Sequence, residues 1–396
     1  MTLGKLGFPV FDADNHMYET SDYVTKFLPI EYRSAVQTSI VQGQRPKMFI
    51  ELDARRWLPF ADFENAVPSP GALEDFYRFG NPTGRPKAEF LGEISASHPG
   101  FQKPEERIQL MDSQGIDRTL LFPSLAIFLE ERLKNDVEAL GVLFHSINQW
   151  IYETWTFDFE TRIFATPMLT MSNVDQAIAE IDWLLERGAR CLQIRPGPVP
   201  FGGFTRSPGL EQFDPIWEKI QDSGLLVCMH SSDSGYRQVV NWWEEAPKSN
   251  EETSMFRMLL MEFDSRPIYD TMAALICHGT LTRFPAIRIV AIESGGTWAS
   301  HLLGDLQNLY QRLPQRFAED PGATFRRCIS VSPFYTDDLQ ELVGVVGAEN
   351  LLFGSDYPHP EGLRDPVSFI NDLQGLPQTE VAKIMGGNLT RLLHLD

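Results

Sequence analysis

Five short apolar runs in this sequence each end in residues that can bind a metal ion or move a proton. A buried strand is an uninterrupted run of Val, Ile, Leu and Phe, so a polar residue at its exit is held rigidly where the sheet meets solvent. Five such exits predict one shared site for metal-ion or acid–base chemistry. The residues at these exits are Asp12, Asp14, His16, His230, His278, Glu293 and Asp356.

Four of these residues form a candidate metal-ligand set. Asp14 and His16 are separated by one residue, and because side chains alternate along a strand, both point to the same side. His230 and Asp356 end two later runs. Two carboxylates with two imidazoles suit one divalent transition metal ion, Zn, Mn or Fe, and leave room for water or substrate. Each residue alone is weak support, and their joint placement predicts the site.

Two further exits carry candidates for proton transfer. His278 precedes Gly279 and is interpreted as a general acid or base, or an electrophile, acting on metal-bound water or substrate. The alternative for His278 is a structural histidine bonded to a loop carbonyl. Asp356 can move a proton as well as bind the ion. Glu293 either orients an imidazole or caps the helix that begins near Thr297.

Other polar residues have weaker roles. Arg195 ends a strand and can grip a substrate carboxylate through two hydrogen bonds, although a structural ion pair is the favoured interpretation. Asp12 is a hydrogen-bond partner behind a ligand or a bridge to a second ion. His301 is expected to pack within its helix, with a reach to the site as the alternative, and His359 is interpreted as a rigid loop residue. Neither a GxSxG elbow nor a Gly-rich phosphate loop occurs, which argues against serine nucleophiles.

The elements that position these residues alternate between strand and helix, which predicts a parallel sheet. Eight β/α units fit a TIM (β/α)8 barrel, in which active sites lie at the C-terminal ends of the strands and the eighth strand closes beside the first. A doubly wound open sheet would instead carry a Gly-rich turn after its first strand. The predicted strands are Phe8–Asp14, Thr119–Phe122, Ile163–Leu169, Cys191–Arg195, Leu225–His230, Ala274–His278, Ile287–Glu293 and Leu351–Asp356.

We predict one domain over residues 1–396, with long insertions at 19–105, after the first strand, and 231–269, after the fifth. Both insertions leave the barrel at its active-site end, so each is interpreted as a lid over the substrate or as an oligomer contact. The second insertion holds a set of large apolar residues that is expected to form buried packing surface whether the insertion is a lid or an oligomer contact: Trp242, Trp243, Met255, Phe256, Met258, Leu259, Leu260 and Met261.

Composition limits the classes of partner. The 34 basic and 54 acidic residues give a net charge of -20, which disfavours nucleic acid and anionic membranes. The four cysteines are widely spaced without a CxxC pair and are interpreted as reduced core thiols. With no secretory leader, these thiols predict a cytoplasmic protein. None of the apolar stretches approaches the roughly 20 residues of a membrane span.

The motifs resemble those of the amidohydrolase superfamily, in the amidohydrolase-2 branch that includes the aminocarboxymuconate semialdehyde decarboxylase type. The resemblance runs from Phe11 to Leu389 and implies a metal-dependent barrel enzyme, commonly a dimer or larger. It rests on the segments Phe11–His16, Met229–His230, Ile276–Pro285, Ile292–Gly296 and Phe353–Pro358, supported by Glu106–Asp117.

One departure from the family pattern concerns the first motif, which is commonly His-x-His. Here Asp14 stands in place of the first histidine, as in the nonhydrolytic decarboxylases of the branch, which often carry Glu there. A carboxylate lowers the net positive charge of the ion and weakens its pull on bound water. It also suits Mn or Fe better than Zn.

We therefore expect a metal-dependent enzyme that acts on a small organic acid or carbonyl compound, by hydrolysis or by C–C cleavage such as decarboxylation. It is expected to form homo-oligomers. One alternative is a dinuclear iron or manganese enzyme that activates oxygen for hydroxylation. Another is a catalytically silent subunit that forms a hetero-oligomer with an active paralogue. The second ion of the dinuclear alternative would be held by Asp12, His278, Glu293 and His301.

Overall fold

The central strands are parallel neighbours in a closed ring, which confirms the predicted TIM barrel. The computed structural model describes residues 6–33, 36–41, 47–52, 55–61, 67–92, 94–245, 254–261 and 265–395. The ring comprises β1 (Phe11–Met17), β2 (Arg118–Pro123), β3 (Ile163–Ala165, continued by Met168–Leu169), β4 (Cys191–Ile194), β5 (Leu226–His230), β6 (Ile289–Ile292) and β7 (Ile329–Val331). The segment 351–357 closes it through bridges from Leu351 to Val331 and from Tyr357 to Asn15.

Helices between the strands place their apolar sides against the outside of the ring. Val174–Leu185, for example, is capped by the Asn173 side chain and buries Ala177, Ile181 and Leu184. The α-helices are Glu74–Phe79, Pro104–Gln114, Leu129–Arg132, Val137–Trp155, Val174–Leu185, Asp214–Ser223, Arg237–Asn241, Met255–Met261, Ser265–Cys277, Thr280–Arg283, Thr297–Arg312, Pro321–Cys328, Leu339–Val346, Gln378–Ala382 and Asn388–Leu392.

The predicted strand Ala274–His278 is wrong, because these residues form the end of the helix Ser265–Cys277. Ile268, Met272 and Leu275 are buried along one side of that helix, and a short apolar run does not by itself distinguish a buried helix from a strand. The strand predicted as the seventh, Ile287–Glu293, is therefore the sixth strand of the ring, β6. The true seventh strand, β7, has only three residues and was missed.

The two insertions contain short elements. The first forms an antiparallel sheet of Val36–Val41, Lys47–Leu52 and Arg55–Ala61, followed by the helix Glu74–Phe79. The second contains the helices Arg237–Asn241 and Met255–Met261. Every member of the apolar set in the second insertion whose side chain the structure describes is partly or mostly exposed in the single chain, so this chain does not itself bury the set. The side chain of Met261 lies outside the described part.

The interior of the ring is apolar below the site. Phe11, Leu120, Phe164, Cys228 and Val290 belong to one buried cluster inside the barrel. All four cysteines are free, and three are buried, whereas Cys277 is exposed because it ends a helix rather than a strand. In the described ranges, the helices all fall short of the combined length and apolar character that crossing a membrane requires.

Candidate metal centre

Three side chains meet at the C-terminal ends of β1 and β5. The Nε2 atoms of His16 and His230 lie 3.2 Å apart. Asp14 Oδ1 lies 3.3 Å from the first and 3.4 Å from the second. Ligand atoms bound at about 2.0–2.2 Å to one ion are separated by about 3.0–3.5 Å. The three buried atoms therefore have the spacing of ligands that share one ion.

The hydrogen bonds of the two imidazoles direct their Nε2 lone pairs toward this centre. His230 Nδ1 lies 2.8 Å from the Ser231 carbonyl oxygen. A carbonyl oxygen only accepts hydrogen bonds, so Nδ1 must carry the proton. His16 Nδ1 lies 3.4 Å from Ser124 Oγ, whose one hydrogen is donated to the Met17 carbonyl oxygen. Both Nδ1 atoms therefore carry protons, and in the neutral rings both Nε2 atoms are acceptors.

The centre therefore needs a positive charge. Asp14 Oδ1 is buried and accepts no hydrogen bond, and beside two imidazole lone pairs it would be strongly repelled. Burial holds the pKa of His16 well below its usual value, which keeps that ring neutral. At His230, burial lowers the pKa, but Glu293 and Asp14 outweigh it and raise the pKa. A proton on His230 or a divalent ion can supply the charge, so the residues fit a metal site.

Two more carboxylates approach the centre. Asp356 Oδ1 lies 3.4 Å from His16 Nε2, and Glu293 Oε2 lies 3.2 Å from His230 Nε2. Burial raises the pKa of each well above its usual value. Both residues have a positive backbone φ, 55° at Asp356 and 51° at Glu293. This left-handed conformation is uncommon for residues other than glycine, and it occurs preferentially at functional sites. Glu293 therefore lies beside His230 and does not cap the helix Thr297–Arg312, whose N-cap residue is Gly296 and which has no side-chain cap.

His359 lies in a loop, as predicted, and it also belongs to this site. Its Nδ1 lies 2.7 Å from Asp356 Oδ1 and its Nε2 lies 3.0 Å from Ser124 Oγ. Its ring centroid is 3.9 Å from that of His16. With His16 and Asp356 it forms a second group of ligand-competent atoms. The sequence signal was its position three residues after Asp356, where a histidine can return to that carboxylate.

Asp12 lies beneath the centre and fixes its framework. Its carboxylate accepts hydrogen bonds from Ser355 N at 3.0 Å, Ser355 Oγ at 2.5 Å and Asn15 Nδ2 at 2.8 Å. These bonds join β1 to the segment 351–357, so Asp12 positions both Asp14 and Asp356. Burial raises the pKa of Asp12 to about 7. Its observed contacts support a partner behind the ligands rather than a bridge to another ion.

The remaining predicted residues lie elsewhere. His278 is exposed and its Nδ1 lies 3.0 Å from Ser207 Oγ, because the helix Ser265–Cys277 carries it outside the ring. His301 is exposed on the helix Thr297–Arg312. Arg195 is buried in ion pairs with Glu131, at 3.0 Å, and Glu130, at 3.5 Å. Of the four residues considered for a second ion, only Glu293 lies at the centre.

A cavity of about 180 Å³ opens beside the centre. Asp14, Glu293 and Asp356 line it, together with the aromatic residues Tyr77, from the first insertion, Phe334 and Tyr335. Gly354 also lines it, and a Cβ at this position would lie 2.3 Å from Ser332 Oγ and 2.8 Å from Asp14 Cβ. A small molecule that enters the cavity therefore meets aromatic rings and the carboxylates of the centre.

Comparisons with known proteins agree with this architecture. The family model described as amidohydrolase matches residues 50–395. The structure of an amidohydrolase from Mycobacterium avium subsp. paratuberculosis K-10 is 35% identical, covers 98% of this chain and 99% of its own, and has a TM-score of 0.89. A decarboxylase of Aspergillus niger is 26% identical over 71% of this chain and 73% of its own. A manganese-bound dihydroxybenzoic acid decarboxylase from Polaromonas sp. JS666 shares the fold, with 14% identity, coverage of 98% and 97%, and a TM-score of 0.59.

Proposed function

This chain belongs to the amidohydrolase family, and on that premise we propose that it decarboxylates a small organic acid with the help of one divalent metal ion. The observation that carries the proposal is the triangle of Asp14 Oδ1, His16 Nε2 and His230 Nε2, with sides of 3.2–3.4 Å. The family's enzymes are hydrolases or carboxy-lyases. The complete ligand set argues against a catalytically silent subunit.

Asp14, His16 and His230 would hold the ion, with Asp356 as the fourth ligand. When bound, the ion supplies positive charge that orients the carboxylate or carbonyl group of the substrate and stabilises negative charge that develops on it. The carboxylates favour manganese or iron over zinc, because oxygen ligands suit harder ions. The manganese in the Polaromonas relative supports manganese as the first choice.

Decarboxylation is favoured over hydrolysis because of the charge of the ligands. Asp14 replaces a neutral histidine, so less positive charge remains to activate water. Loss of CO2 instead requires a proton for the carbon that loses its carboxylate, and the site holds such protons. Glu293 lines the cavity, and burial raises its pKa well above the usual value, which favours the protonated form.

His359 supplies a second position for a proton. Because Ser124 donates its hydrogen to Met17, His359 must donate from Nε2 to Ser124 Oγ. Its other nitrogen, Nδ1, and Asp356 Oδ1 lie 2.7 Å apart and need one shared proton to make a hydrogen bond. The pair of Asp356 and His359 therefore holds one proton, and giving it to the substrate carbon breaks the hydrogen bond between them until solvent supplies another proton.

The proposal is tested by CO2 release. Manganese-loaded protein is incubated with a panel of hydroxybenzoates and other small carboxylic acids, and the CO2 that appears is measured. We expect release from at least one acid, and none from the matched His230→Ala variant. Hydrolysis of ester, amide or lactone probes without CO2 from any acid would assign the chain to the hydrolases instead.

A further inference from the structure

Arg78, in the first insertion, joins that insertion to two distant segments of the barrel. Its Nη1 and Nη2 atoms each lie 2.9 Å from one oxygen of the Asp372 carboxylate, and its Nε lies 3.0 Å from Glu74 Oε1. Its guanidinium carbon lies 4.5 Å from the centre of the Tyr335 ring. A planar guanidinium can bind a carboxylate through two parallel hydrogen bonds while it packs on an aromatic ring. Arg78 makes both kinds of contact at once.

These contacts hold two of the aromatic rings that line the cavity beside the metal centre. Tyr335, in the loop after β7, lines the cavity and packs on the guanidinium of Arg78. Tyr77 also lines the cavity, and it precedes Arg78 in the last turn of the helix Glu74–Phe79. The helix cannot shift without moving Tyr77, and the bonds to Asp372 oppose such a shift. Arg78 therefore acts on the cavity through two neighbouring rings.

The start of the same helix is bound to the loop that holds His359. Gly71 N lies 3.1 Å from the His359 carbonyl oxygen, and Leu73 N lies 2.7 Å from the Pro360 carbonyl oxygen. These backbone bonds fix the chain just before the helix, and Arg78 fixes its last turn. The first insertion is thus held at both ends of this helix, beside the residues of the metal centre.

We propose that Arg78 is a positioning residue that fixes Tyr77 and Tyr335 as the walls of the substrate cavity, an inference that rests on the proposed function. The cavity has a volume of about 180 Å³, and a protein cavity of about 150 Å³ binds benzene. The space is therefore that of one ring, and a displaced wall changes the fit of a ring-sized acid. Arg78 should affect substrate binding more than the chemical step.

Arg283 provides a matched control, because it forms the same kind of ion pair away from the cavity. Its Nε lies 2.8 Å from Asp214 Oδ2, and its Nη2 lies 2.7 Å from Asp214 Oδ1. Its side chain is 30% exposed, compared with 21% for Arg78. Its Nη1 lies 2.7 Å from the carbonyl oxygen of His278, which is outside the ring. Loss of either pair removes similar interactions, but only the pair of Arg78 adjoins the cavity walls.

Steady-state kinetics of CO2 release, with the acid that the panel identifies, test the proposal. Arg78→Gln should raise KM roughly tenfold and keep kcat within about threefold, with unchanged manganese content. Arg283→Gln should leave KM unchanged. Arg78→Lys should resemble Arg78→Gln, because an ammonium group cannot bind a carboxylate bidentately or stack as a plane. An unchanged KM or a loss confined to kcat in Arg78→Gln, a restored KM in Arg78→Lys, or an equal rise in Arg283→Gln would overturn the proposal.

Hydrogen exchange tests the same role without turnover. Mass spectrometry of peptides that cover 71–79 and 332–337 should show roughly tenfold faster exchange in Arg78→Gln, because both segments lose contacts with a charged group. Exchange in the helix Val174–Leu185 should stay as in wild type, and Arg283→Gln should leave all three segments unchanged. Unchanged exchange in Arg78→Gln would overturn the positioning role even if CO2 release is confirmed. Faster exchange in the two segments, with no CO2 from any acid, would support that role and overturn the proposed function alone.

Discussion

His359 Nδ1 lies 2.7 Å from Asp356 Oδ1, and the ring centroid of His359 lies 3.9 Å from that of the proposed ligand His16. This one imidazole therefore touches two residues of the metal centre while Ser124 holds its far nitrogen. Partners behind metal ligands fix the orientation of those ligands and tune the affinity of the site. His359 links the loop after residue 356 to the centre in this way.

Replacing His359 should weaken metal binding. His359→Ala is expected to reduce manganese affinity by about 10–100-fold, because Asp356 loses the partner that orients it. His359→Asn places an amide nitrogen near the position of Nδ1 and should retain more affinity than His359→Gln, which can reach only toward Ser124. Titration calorimetry with manganese measures all three. Equal affinity of His359→Ala and wild type would show that Asp356 needs no such partner.

Gly354 should not tolerate a methyl group. In Gly354→Ala the new Cβ would contact Ser332 Oγ and Asp14 Cβ, and overpacking of this kind costs about 1–3 kcal/mol. We expect a lower melting temperature and less bound manganese. Gly304→Ala is the matched control, because nothing lies within 4 Å of its new Cβ in the helix Thr297–Arg312. Equal losses in the two variants would contradict the close packing at Asp14.

Glu293 and His278 should differ in their effect on turnover. Glu293 Oε2 lies 3.2 Å from His230 Nε2 and lines the cavity, whereas His278 is exposed beside Ser207. Glu293→Gln should retain metal and lose about 10²–10⁴-fold in kcat, which is the usual contribution of a proton donor. His278→Ala should retain both metal and activity. Loss of turnover in His278→Ala would restore the role predicted from sequence.

Glu19 should make stability depend on pH. Burial raises its pKa from 4.5 to about 7, so the folded chain binds this proton more tightly than the unfolded chain. The stabilisation is complete below pH 4.5 and is lost as pH rises through 7. Glu19→Gln should therefore gain stability relative to wild type between pH 5 and pH 8, by at most about 3 kcal/mol. Urea unfolding at both pH values measures this gain, and a constant difference would contradict it.

The sequence was sufficient to predict the barrel fold and the spatial proximity of Asp14, His16 and His230. The alternation of Asp14 and His16 on one strand, and the position of His230 at the exit of another, follow from local geometry. The short run Ala274–His278 did not distinguish helix from strand, and this ambiguity misplaced His278. Packing of the helix Ser265–Cys277 against its neighbours decides its conformation, and such packing involves residues distant in sequence.

His359 and Trp242 show two other limits of sequence. The return of the His359 ring to Asp356 depends on the path of a loop, which no periodic pattern reports. Trp242 is predicted to lie in buried packing surface, either in a lid or in an oligomer contact, and it is 73% exposed in the single chain. Residue type predicts that a tryptophan is buried, but does not say whether the same chain or a second chain buries it.

An anomalous-difference map from a crystal of the manganese-loaded protein tests the central claim most directly. We predict one strong peak at about 2.0–2.3 Å from Asp14 Oδ1, His16 Nε2 and His230 Nε2, with Asp356 completing the ligands. The peak should be absent from crystals of His230→Ala. A peak that lies away from these atoms, or none at full manganese loading, would contradict the account.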